Sequence, residues 1–198
     1  MNLLNKFHHW RRKRRWNKQY KRGRWDSLKS DMEAKRYYKI IDYFNQFAPE
    51  NPAILDIGCG DGVLNERLGD FKYDYFLGVD FSRVSIEKAK AKQFPKAEFL
   101  AEDAIKFRPK RDFEAIVFNE AFYYIPESEK TPVLDLMLDH LTNDGILITS
   151  IFREGTGCWE YFKENPRLKE IAFETITTKK EQTYWKIGVY KKVEELRS

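Results

Sequence analysis

A five-residue run, apolar but for Asp56, leads straight into a loop of alternating glycines: Ala53-Ile-Leu-Asp-Ile57, then Gly58-Cys59-Gly60-Asp61-Gly62, then Val63-Leu64. A short apolar run of this kind reads as a buried strand, and the residues from Val63 to Leu68 open a helix. Glycine is needed at a tight strand-to-helix turn where the backbone must come close to a ligand. A dinucleotide site would carry G-x-G-x-x-G with a pyrophosphate on the helix N-terminus. Here the spacing is G-x-G-x-G, and Asp56 stands two residues ahead of it. An acid there repels a pyrophosphate and attracts an ammonium group. A phosphate-binding P-loop is excluded too, because no Gly-Lys-Ser/Thr follows.

The same alternation continues along the chain. After a predicted helix over 27–47, closed by Pro49 and Pro52, strands are expected at 53–57, 75–79, 97–101, 113–118 and 146–152. Helices are expected at 63–68, 82–93 and 128–141, the last with Asn143-Asp144-Gly145 as its stop. Residues 169–177 and 182–191 read as two final strands joined by a polar turn. Seven strands interleaved with helices predict an α/β fold, a doubly wound and mostly parallel sheet with an antiparallel last strand.

In order along the chain, four features resemble the class I S-adenosylmethionine-dependent methyltransferases, which have a Rossmann-like sheet. They are the Asp56-x-Gly58-x-Gly60-x-Gly62 loop, Asp80 at the end of the second strand, Glu102-Asp103-Ala104 after the third, and Asn119-Glu120 after the fourth. The resemblance covers roughly residues 53–152. It implies S-adenosylmethionine as cofactor and S-adenosylhomocysteine as product. It implies Gly58, Cys59, Gly60 and Gly62 under the cofactor and Asp56 near its amino group. Asp80 and Phe81 would lie at the ribose, Asp103 and Ala104 at the adenine, and Asn119 beside the reacting centre. Cys59, with no charged base beside it, reads as a small filler of the loop rather than a nucleophile.

Base N-methylases carry two prolines after strand four, and Phe118-Asn119-Glu120-Ala121-Phe122-Tyr123-Tyr124 lacks both. It offers a carboxylate and two phenols instead: Glu120 as a base for a hydroxyl, Tyr123 and Tyr124 as groups that stack on or bond to the acceptor. Gly23-Arg-Trp-Asp26 and the Asn-Glu-x-x-Tyr-Tyr run are similar to small members that modify sugars and glycans. That second resemblance implies O-methylation of a sugar, nucleotide-sugar or glycan hydroxyl, with a sugar amine as the alternative; methylation of a nucleic acid held by the basic N-terminal segment is the other alternative. Trp25, Arg153 and Trp159 are the further acceptor-contact candidates, the last two in a Gly-flanked aromatic segment that reads either as a lid or as a packed helix.

Composition divides the chain. Residues 1–25 hold ten of the 36 basic residues and no acid. The remainder holds 26 basic and all 31 acidic residues, a net of −5. We therefore separate a basic N-terminal arm, 1–25, from a methyltransferase domain, 26–198. In the arm, Leu3, Leu4, Phe7 and Trp10 share helical spacing ahead of Arg11 to Arg15. The arm reads as a solvated tail or packing helix, as a lid that closes the site, or as a polyanion-binding segment, with an anionic membrane favoured over nucleic acid because the body is acidic. Two cysteines and three histidines give no metal-ligand spacing and no disulfide framework, which fits a cytoplasmic chain, peripheral to a membrane if the arm binds one. No metal is expected.

Overall fold

The computed structural model describes residues 11, 14–155 and 157–193. The Leu3, Leu4, Phe7 and Trp10 stripe lies outside the described residues. Residues 14–21 form helix α1, and Asp26–Lys29 a 3₁₀ turn. There follow α2 (Asp31–Phe47), β1 (Ala53–Ile57), α3 (Val63–Arg67), β2 (Tyr75–Asp80), α4 (Arg83–Ala91), β3 (Ala97–Ala101) and β4 (Phe113–Asn119). A 3₁₀ turn, Phe122–Tyr124, precedes α5 (Glu127–Asp139), β5 (Leu141–Phe152), α6 (Glu160–Lys163), β6 (Leu168–Thr177) and β7 (Tyr184–Lys192).

The seven strands form one sheet in the order β3-β2-β1-β4-β5-β7-β6. The first five are parallel; β7 runs antiparallel to both β5 and β6. Every residue of β1 is buried, as a central parallel strand covered on both faces requires. Its alternate residues serve different layers. Ile54 packs with Tyr37, Ile40 and Phe44 of α2, whereas Leu55 joins Leu134 and Leu138 of α5 on the other face. Strand order reverses between β1 and β4, so a crevice opens at their carboxyl ends. No helix of the described residues is long and apolar enough to cross a membrane.

Two predicted boundaries differ. The helix expected over 27–47 begins at Asp31, because Ser30 is extended (ψ 158°) and residues 26–29 form their own turn. Arg67 fixes that break by donating to the carbonyls of Lys29 (2.7 Å) and Ser30. Asn143-Asp144-Gly145 does not stop a helix: α5 ends at Asp139 and those residues bulge within β5. Leu141 pairs with Phe113 but Ile146 with Ala115, so the intervening residues loop out. Gly145 is required there because a Cβ would come within 2.9 Å of the Glu114 carbonyl oxygen.

Candidate functional site

The carboxyl ends of β1, β2, β3 and β4 surround a cavity of about 310 Å³ at the strand-order reversal. The Gly58–Asp61 loop forms one side of it. Gly58 has φ +81°, and a Cβ there would collide with that of Ala121 after β4. A Cβ on Gly60 would lie 2.7 Å from the Tyr20 hydroxyl. The loop glycines therefore let two other segments close on the backbone. Gly62 does not line the cavity; at φ +80° it caps the N-terminus of α3. Cys59 is buried, and its thiol reaches the Gly60 carbonyl (3.6 Å).

Three acids from the strand ends share this cavity. Asp56, buried in β1, leaves its Oδ1 with no hydrogen-bond partner, and burial together with nearby Asp80 pushes its pKa up to about 8. Asp80 accepts from the Gly60 amide through Oδ2 (3.1 Å) and the Ser82 amide through Oδ1 (2.7 Å). It therefore holds both loops that flank the cavity. Its burial raises its pKa to about 6 against the lowering pull of those amides. Asp103 accepts from the Ile105 amide (3.1 Å) and lines the wall with Phe81 and Ala104.

Glu120 projects from the end of β4 with φ +58°, a left-handed backbone that costs a non-glycine residue about 1–2 kcal/mol. Its amide donates to the Ser150 carbonyl (3.0 Å). Its two carboxylate oxygens accept from the Tyr123 hydroxyl (2.9 Å) and the Ser150 hydroxyl (3.0 Å). Desolvation, opposed by Arg36 and these hydroxyls, pushes its pKa up to about 7. Tyr124 packs against Tyr123 with ring centroids 4.4 Å apart.

Arg36 belongs to this site and was not anticipated. It is 1% exposed, and it donates to Glu33 (2.9 and 3.1 Å), to the Tyr37 hydroxyl (3.1 Å) and to the Asn119 side-chain oxygen. Burial alone would lower its pKa, but Tyr37, Glu120 and Glu33 raise it, so it stays a cation. Its position in the sequence carried a signal: four residues before Ile40, it stands on the inward stripe of an amphipathic helix, where a charge needs buried partners.

The roof comes from the basic N-terminal segment. Trp16 and Trp25 stack with centroids 4.4 Å apart and planes at 3°, and Trp16 meets Tyr124 edge-on at 4.9 Å. Trp16 and Tyr20 are buried, one helical turn apart on the inner face of α1. The Ser82 hydroxyl donates to Asn17 (2.7 Å) and Lys88 to the Tyr20 carbonyl (2.9 Å), tying α1 across the opening.

Two anticipated residues lie elsewhere. Trp159 is 8% exposed, packs edge-on against Phe173 and donates its indole N–H to the Glu154 carbonyl (2.9 Å). Its spacing with Phe162 serves core packing, so the packed-helix alternative describes it. Arg153 points to the Gln182 carbonyl (2.9 Å) and does not line the cavity. His140 pairs with Asp112 at the surface (3.1 Å), and among the described residues no His/Cys/Asp/Glu group could hold a metal ion.

A family model for the methyltransferase domain matches residues 32–181, from α2 into the turn before β7. The chain belongs to that family. It is an S-adenosylmethionine-dependent methyltransferase domain. Malonyl-[acyl-carrier protein] O-methyltransferase of Bacillus cereus is 28% identical over 131 residues, covering 64% of this chain and 48% of the relative. Trans-aconitate 2-methyltransferase of Deinococcus radiodurans is 28% identical over 106 residues, 52% of this chain and 40% of the relative. The methyltransferase thus spans about half the length of the curated relatives it matches. The crystal structure of N-methyltransferase NodS from Bradyrhizobium japonicum with S-adenosyl-L-homocysteine superposes with a TM-score of 0.74 at 19% identity, covering 86% of this chain and 92% of that one. It shares the fold. The finer resemblance to sugar-modifying members finds no support in these relatives. They are named for malonyl-[acyl-carrier protein], for trans-aconitate and for N-methylation.

Proposed function

We propose that the methyltransferase methylates a neutral, proton-bearing oxygen or nitrogen of a small acceptor, with Glu120 as the base. A sugar hydroxyl is the acceptor that the strand-four motif favours, and a sugar amine the alternative. One observation carries this reading: a carboxylate of pKa about 7, held between Tyr123 and Ser150, faces the cavity from the end of the strand where acceptors react. A hydroxyl acceptor must lose its proton as it is methylated. A carboxylate acceptor carries no such proton, and Glu120 would repel it.

The cavity's chemistry fits a cationic cofactor. Bound S-adenosylmethionine supplies a methyl group on a positive sulfonium centre. In this reading Asp56, whose Oδ1 lacks a partner, accepts from the cofactor's ammonium group. Asp80 accepts from its ribose hydroxyls beside Phe81, and Asp103 and Ala104 line the adenine. Gly58, Cys59 and Gly60 supply close backbone. Asn119, fixed by Arg36, borders the reacting centre. Glu120 takes the acceptor's proton, while Tyr123 holds its carboxylate and Tyr124, Trp16 and Trp25 wall the acceptor in.

The relatives named for carboxyl acceptors favour a second reading, in which Arg36 would meet a carboxylate. Against it, Arg36 already spends its donors on Glu33, Tyr37 and Asn119. The deciding experiment follows labelled methyl transfer to nucleotide-sugars and amino sugars on one side and dicarboxylic acids on the other. Turnover of hydroxyl or amine acceptors, lost in Glu120→Gln, supports the proposal; turnover of carboxylic acids alone, retained in Glu120→Gln, overturns it.

A further inference from the structure

Helix α1 has two unlike faces. Trp16 and Tyr20 point inward and are spent on the cavity roof. Arg11, Arg14, Arg15, Lys18, Lys21 and Arg22 are all exposed. At 100° per residue these six cations fall within about 120° of arc, opposite the buried rings. They stand at like-charge i,i+3 and i,i+4 spacings: Arg11 with Arg14 and Arg15, Arg14 with Lys18, Lys18 with Lys21 and Arg22. Such pairs destabilise a helix, and no acid occurs among residues 1–25 to relieve them. Arg15, Lys18, Lys21 and Arg22 form no side-chain ion pair among the described residues. Anchors at Asn17 and the Tyr20 carbonyl keep the helix on the body with this face outward.

We propose that the outer face of α1 is a docking surface for an anionic lipid membrane. It places the cavity roof against the bilayer surface. The charge complementarity is local, since residues 26–198 are net negative whereas every charged residue of α1 is a cation. A nucleic acid is the weaker fit, because the α1 rings Trp16 and Tyr20, which would stack on bases, are turned inward and buried.

The test is sedimentation of the full chain with vesicles of phosphatidylcholine alone or mixed with phosphatidylglycerol, each at low and high salt. Binding is expected only to the mixed vesicles, weakened by salt. It should fall roughly a hundredfold in the triple variant Lys18→Gln, Lys21→Gln, Arg22→Gln. That variant should keep S-adenosylhomocysteine affinity and its melting temperature, because the three side chains touch nothing in the cavity. Equal binding to neutral vesicles, no binding to either, or unchanged binding of the triple variant overturns the proposal. So does capture of polyuridine or polyglutamate in preference to the vesicles, which would make the partner a different polyanion.

Discussion

Replacing Glu120 by Gln tests the base directly, because the amide keeps the side chain's shape and its reach to Tyr123 and Ser150 but cannot take a proton. With a pKa of about 7, roughly one tenth of the carboxyl is ionised at pH 6 and nearly all above pH 8. The wild-type kcat/KM should accordingly rise about tenfold over that range and then level off. Losing a positioned base removes about a hundred- to ten-thousandfold in rate, which is about 3–5 kcal/mol of transition-state stabilisation. The pH-dependent rise should vanish with it. The assay is labelled methyl transfer to the best acceptor from the panel, with S-adenosylhomocysteine binding measured by calorimetry to show that the cofactor cavity is intact. If Glu120→Gln keeps more than about a tenth of the rate, or if the wild-type profile is flat between pH 6 and 8, Glu120 is not the base.

Arg36→Gln removes the cation that holds the Glu120 pKa down, so the pH profile should shift upward while some activity remains; a profile unmoved in pH would make Arg36 purely structural. Asp80→Ala should weaken cofactor binding at least tenfold, since charge-assisted bonds contribute about 1.5–3 kcal/mol each. It should also lower the melting temperature, because the Gly60 and Ser82 amides lose their acceptor; an unchanged dissociation constant contradicts the cofactor assignment. Burial raises the pKa values of Asp56, Asp80 and Glu120 to about 8, 6 and 7. The folded protein thus holds protons that the unfolded chain releases near pH 4, and this contribution to stability is full below about pH 4 and lost as pH rises through 6–8. Ligand-free melts should therefore fall from pH 5 to pH 8, and fall less in Asp56→Asn; equal declines in the two proteins would count against a buried, raised Asp56.

The strands and the acids at their ends were legible for one physical reason: a parallel strand buried on both faces is continuously apolar, so the first polar residue after it marks the rim of the crevice. Asp80 and Asn119 close β2 and β4 in this way, whereas Asp103 stands behind Glu102 after the exposed edge strand β3 and Glu120 directly after Asn119; one cavity gathers all four. Residues on helices were harder to read. Ten cations hid the Trp16 and Tyr20 pair, although their i,i+4 spacing marked an inward face. Arg36 was passed over because a charge on a helix is usually solvated. Turn chemistry was ambiguous as well. Asn143-Asp144-Gly145 suits a helix stop and a β-bulge equally, and only the pairing of Ile146 with Ala115 distinguishes them. The glycines beside Cys158 and Trp159 suggested flexibility, yet the ring of Trp159 seals the core beneath α6.

The balance of charge in the cavity bears on what can enter it. Asp56, Asp80, Asp103 and Glu120 line one space, and Arg36 is the cation buried among them, largely neutralised by Glu33. A cationic sulfonium cofactor would be favoured in such a space, because these carboxylates are poorly solvated without a positive partner. Where Glu120 and Asp56 are ionised, above about pH 7–8, the same surplus of negative charge opposes a second anion at the acceptor position. A carboxylate acceptor would have to displace Glu33 or Asn119 from Arg36, stranding a buried charge or a buried amide. In the proposed reading, a neutral hydroxyl or amine meets no such penalty, and Glu120 would take its proton. The cavity's charge and the strand-four residues Asn119 and Glu120 thus form one argument for the proposed protic acceptor.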